Sequence, residues 1–141
     1  MVAIAVAAEP NGIRPAGDPM NTEQHTLPAG VAITAGQLVR IDGTTGRFVI
    51  ADSGAAGTAR AYGVALRTVA AGYAVTAVRR GRISGYVVDA MAYNDPVYLN
   101  PTGALGTAAG TVTEIVGRVI PAWTANLGVA PDKLVEIDIR A

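Results

Sequence analysis

The sequence has no cysteine, so it builds neither a disulfide framework nor a thiolate metal site. A Ser-His-acid triad would have to draw on the single histidine, His25, in the Pro-rich start of the chain, and on one of only two serines, Ser53 and Ser84, so His25 is expected to be a solvated loop residue rather than a catalytic one. Large apolar anchors are scarce as well: one Phe (Phe48), one Trp (Trp123) and five Tyr, against an apolar share of 50% that is mostly Ala and Val. A buried Leu or Ile contributes roughly 1.5–3 kcal/mol and an Ala methyl well under 1 kcal/mol, so this core gains little per residue and the chain profits from association. No block of one charge sign is present, and 11 basic residues balance 11 acidic ones, which excludes a general polyanion binder; nucleic acid is not an expected partner. Long apolar runs are missing too. Residues 1–8 lack a basic flank and are short for a signal-peptide core, and the uncharged stretch 96–113 is interrupted by Pro101, Gly103, Gly106 and Gly110; no membrane span is expected.

What remains in a chain of 141 residues is one domain and an arm. Pro10, Pro15, Pro19 and Pro28 recur among Asn11, Gly12, Gly17 and Asn21, and proline both fixes φ and removes a backbone donor. Residues 1–28 are therefore read as an extended N-terminal arm and residues 29–141 as the folded domain. Within the arm Val2, Ile4 and Val6 alternate with alanines, the pattern of a short strand laid on a sheet edge of another protein.

From Val31 onward short strands alternate with turns. Residues 37–41 and 47–51 flank Asp42, Gly43, Thr44, Thr45 and Gly46 and form an expected hairpin. Residues 73–80 and 82–88 flank Gly81, a reversal or a bulge. The last stretch alternates most cleanly, with Val135, Ile137 and Ile139 on one face and Glu136, Asp138 and Arg140 on the other. No window carries a capped helical period, and the Ala- and Gly-rich residues 53–61 read as a loop.

An internal echo organises these strands. Leu38, Val39, Arg40 and Ile41 before Asp42 and the Thr45-Gly46 turn resemble Pro96, Val97, Tyr98 and Leu99 before Asn100 and the Thr102-Gly103 turn. Residues 62–67 then correspond to 115–120, and 73–80 to 134–139. The expected fold is all-β, a small barrel or sandwich made of two related β-meanders, since neither half covers its apolar face alone.

Chemistry finds little purchase. Asp89, Asp95, Asp132 and Asp138 have neither EF-hand spacing nor helical pairing, and no phosphate-cradling strand, loop and helix order follows the glycines; no metal or cofactor is expected. Glu136 and Asp138 stand two apart on one strand face, as the two carboxylates of a glycosidase can, but strand alternation already accounts for them as a wet face. The protein is expected not to be an enzyme. The densest cations, Arg79, Arg80 and Arg82, either guard a strand edge or meet carboxylates of a partner protein, which guanidinium geometry suits. Trp123 is a barrel plug or an interface anchor.

The run Ala29, Gly30, Ala35 and Gly36 before residues 38–42, then Tyr62, Gly63, Val64, Ala65 and Leu66, then Ala71 and Gly72 before residues 75–79 and Gly81, resembles the head decoration, or cement, proteins of tailed bacteriophages. The likeness covers roughly residues 28–141. It implies a β-fold that trimerises on the outer surface of the virion at three-fold and quasi-three-fold positions, contacts the major capsid protein and stabilises the expanded head. On that resemblance the arm residues Val2, Ile4, Val6 and Ile13 become candidate shell contacts, and Arg79, Arg80, Arg82 and Trp123 candidate partner contacts. A barrel-sandwich carrier module is the alternative, although its modifiable lysine would have to be Lys133, the only one, at the start of the last strand.

Overall fold

A computed structural model describes residues 3–6, 13–15, 22–88, 90–121 and 133–139. The architecture is all-β, a curled half-barrel sheet. Its strands are β1 (Arg14–Pro15), β2 (Glu23–Pro28), β3 (Leu38–Ile41), β4 (Phe48–Ile50), β5 (Gly63–Ala65), β6 (Ala74–Ser84), β7 (Pro96–Leu99), β8 (Leu105–Gly106), β9 (Ile115–Pro121) and β10 (Lys133–Asp138).

Among the described residues the pairings between these strands are antiparallel, and they run β4-β3-β5-β6-β10-β9-β7-β8, with β1 and β2 also on β6; a single isolated bridge, Ala29 to Phe48, is parallel. The internal echo is visible in this order. β3 pairs with β4 and β5, and β5 with β6; β7 pairs with β8 and β9, and β9 with β10. Each meander places a glycine where the next strand presses closest. A Cβ at Gly63 would stand 2.7 Å from the Val78 carbonyl oxygen, and one at Gly117 would stand 2.0 Å from that of Glu136. Backbone cannot yield at either point, so only glycine fits.

Of the two courses expected at Gly81, a reversal or a bulge, neither falls on the glycine itself. Its φ of 144° is absorbed inside β6, an 11-residue strand that runs straight through it. The irregularity lies two residues earlier: Gln24 pairs with Val78 and Glu23 with Arg80, leaving Arg79 as the extra residue of a bulge. In an unbroken strand Val78, Arg80 and Arg82 would share a face. The bulge changes the parity, so that Val78 and Ile83 both enter the main core while Arg80 and Arg82 reach solvent. The second meander repeats the device at Val116, skipped between the pairs Val97 with Gly117 and Tyr98 with Ile115. Val116 and Val119 are both buried as a result.

Two clusters fill the fold. The larger joins both meanders through Leu38, Val64, Val78, Ile83, Val97, Leu99, Val116, Val119, Val135 and Ile137. The smaller lies on the other face of the first meander, around Phe48, Ile33, Val39, Val75 and Ala77.

N-terminal residues attach to this same sheet. Ala3 bridges Gly106, Val6 bridges Tyr86, and the Ile4 amide donates to the Leu105 carbonyl at 2.7 Å. Beneath them the buried Tyr86 hydroxyl donates to the Gly36 carbonyl at 2.5 Å, and burial pushes its pKa far up. Gly36 has a φ of 90°, and a Cβ there would collide with Val6 and Ile13.

Two consequences are measurable by thermal unfolding. Gly63→Ala and Gly117→Ala should each destabilise by about 1–3 kcal/mol through overpacking, whereas Gly43→Ala, in open space, should stay within about 0.5 kcal/mol of the parent. Tyr86→Phe leaves the Gly36 carbonyl without its donor and should cost about 1–3 kcal/mol.

Candidate interaction surface

The three neighbouring arginines do not form one patch. Arg80 and Arg82 leave the sheet on the wet side, and Arg79 is re-aimed by its bulge toward Tyr62. On the wet side the charges lie in cross-strand rows. Arg80 reaches Glu23 of β2 at 3.6 Å and Asp138 of β10 at 3.3 Å. One row along, Arg82 stands opposite Glu136, whose carboxylate is held instead by Arg118 of β9 at 3.2 Å. Arg118 also donates to the Asn94 side-chain oxygen at 3.3 Å. Both carboxylates of the alternating strand are thus engaged by arginines. Exposed pairs of this kind contribute about 0–1 kcal/mol each; what they supply is a registered surface of alternating charge over four strands.

Arg79 sits where the edge of β6 changes partner. Val78 still pairs with β5, Arg80 already pairs with β10, and between them the Arg79 carbonyl accepts the Ile139 amide at 3.1 Å. Its Nε donates to the Ile139 carbonyl, also at 3.1 Å, and its guanidinium lies 5.3 Å from the centre of the Tyr62 ring. Tyr62 in turn packs against Phe48 and makes a 3.2 Å hydrogen bond between its hydroxyl and His25 Nδ1. His25 is therefore an exposed edge-strand residue with a tyrosine partner. A cleft of about 540 Å³ opens at this fork, lined by Ile41, Arg60, Tyr62, Arg79, Glu114 and Ile139. Partial burial holds the Glu114 carboxyl above the usual carboxylate range.

Among the arm residues, Ile4 and Ile13 belong to the chain's own main core, each only 7% exposed, whereas Val6 is 41% exposed. Val6 lies beside Val87, itself 50% exposed, whose amide donates to the Ala5 carbonyl. Val2 and Trp123 lie outside the described residues, as do Asp89 and Asp132. Lys133 donates from Nζ to the Met91 carbonyl and lies 5.1 Å from the centre of the Tyr93 ring, so the only lysine is held at the root of a strand. Arg60, Tyr62, Glu114 and Arg118 carried no local signal. Arg60, Tyr62 and Glu114 are scattered over more than fifty positions and meet at the cleft only because the two meanders join at β6, while Arg118 meets Glu136 across β9 and β10.

A family model described as structural cement protein (E217 gp24/Pam3 gp6), of phage, matches residues 7–140. No curated protein matches the chain.

The raised pKa of Glu114 has a sign that stability measurements reveal. The folded state binds its proton more tightly than the unfolded chain does, so ionised Glu114 opposes folding above the folded pKa. That penalty disappears below the ordinary value of 4.5. Glu114→Gln should therefore raise the melting temperature at neutral pH, and the gain over the parent should shrink to nothing as the pH falls below 4.5.

Proposed function

The chain belongs to the phage structural cement protein family, and we propose that it binds the outer surface of the major capsid protein shell and reinforces the expanded head. Family membership makes it a structural, capsid-stabilising protein of the virion. The finer assignment is a homotrimer at three-fold and quasi-three-fold positions. The observation that carries this reading is the family match, which leaves out only six residues at the start and one at the end.

Physical features support it. Exposed apolar side chains are spread over the surface, at Val6, Val31, Tyr73, Val87 and Ile115, beside rows of paired charges on the wet side of the sheet. Such a surface makes many modest contacts, and on a lattice their repetition supplies avidity. In the arm, Val6 and Val2 are assigned to the shell, and Ile4 and Ile13 anchor the arm to the chain's own core. Arg80, Arg82 and Trp123 are assigned to contacts between copies or with the shell. The carrier alternative fares worse, because Lys133 is tied to Met91 and Tyr93 rather than presented at a hairpin tip.

Expanded capsids stripped of the chain provide the test. Added protein should sediment with them, appear as outer-surface density in electron micrographs and raise the temperature at which they release DNA. Val6→Ser should weaken binding several-fold while lowering the melting temperature of the free protein only slightly. Capsids that neither bind the chain nor gain heat resistance would overturn the proposal, and a free-solution or bound stoichiometry other than three would remove the trimer.

A further inference from the structure

The fork of β6 leaves two guanidinium groups without acids. On the wet side, Arg80 and Arg118 each have a carboxylate within 3.6 Å. In the cleft, Arg79 spends its Nε on a carbonyl and one face on Tyr62, and it forms no ion pair among the described residues. Arg60, exposed at the rim, likewise has no acidic partner among them. Among the described residues the acid in the lining is Glu114, which pairs with neither arginine, and its partial burial disfavours its charged form. Apolar surface adjoins the cations: Ile41 is 42% exposed although it ends a strand whose first two residues are fully buried, and Tyr62 is half-buried.

We propose that this cleft is the receptor for an acidic residue and an adjoining apolar residue on an extended segment of the shell protein. Arg79 and Arg60 grip the carboxylate, while Ile41 and Tyr62 receive the apolar neighbour. The proposal rests on the capsid-binding reading and deepens it. Its physical basis is complementarity. A planar carboxylate accepts paired N–H groups from a guanidinium, and the bulge with the Tyr62 ring and the Ile139 carbonyl holds Arg79 in one orientation before any partner arrives. About 540 Å³ is room for a pair of side chains, more than a single small anion fills. A nucleic-acid backbone is a poorer occupant, because the cleft has an apolar rim and an acid in its wall and the chain as a whole has no net charge.

The test uses the full chain and stripped expanded capsids, with co-sedimentation followed over a series of NaCl concentrations. Arg60→Glu removes no hydrogen bond or ion pair among the described residues, and its melting curve checks that the fold is kept. It should bind capsids about tenfold more weakly than the parent and show a shallower salt dependence. Glu114→Gln should bind as well as the parent or better. Parent-like binding by Arg60→Glu would overturn the cleft while leaving the capsid reading intact. A loss with Glu114→Gln as large as that expected for Arg60→Glu would also overturn it, because the cleft would then be reading a cation. If the parent itself fails to sediment, both readings fall.

Discussion

β6 is hydrogen-bonded along both edges for most of its length, and the rest of the sheet is hung on that double pairing. One edge carries β2 and then β1; the other carries β5 and then β10. A partner change within one strand demands a local break in the ladder, and Arg79 is that break. Its backbone is satisfied by Ile139 rather than left open, as a buried or half-buried peptide group requires. The same bulge sends Val78 and Ile83 inward and Arg80 and Arg82 outward. One extra residue therefore decides both how the meanders join and where the charges lie.

The two meanders solve a shared problem with shared means. Each is too small to bury its apolar face alone, and the larger cluster is continuous only because both contribute to it. Small side chains make this feasible. Glycines at 63 and 117 let neighbouring backbones approach, and buried valines and alanines make up much of the core. Contacts that bind only the folded form of such a protein raise its stability by mass action.

The outer face and the fork divide the arginines into two kinds. On the wet side Arg80 and Arg118 are matched to acids of neighbouring strands and keep the surface in register. At the fork Arg79 is matched to an aromatic ring and a carbonyl, which orient its guanidinium without neutralising it. An oriented cation beside apolar surface is a recognition element, and it arises at the one place where the two halves of the molecule part.

Much was legible in the amino-acid order itself. The all-β class, the hairpin about Asp42 to Gly46, the wet and dry faces of β10 and the doubled meander all follow from patterns of period two and from turn residues, which act over a few neighbours. The absence of cysteine and the lone histidine narrowed the chemistry in the same local way. The course of β6 through Gly81, the separation of Arg79 from Arg80, the commitment of Ile4 and Ile13 to the chain's own core and the meeting of Arg60, Tyr62 and Glu114 were decided only by the tertiary structure. A glycine marks a place where the backbone has freedom, but whether the chain turns, bulges or runs straight there depends on which strands flank it. A strand's alternation likewise shows which residues share a face only until a bulge changes the count, and bulges are set by the register of partners far away in the chain.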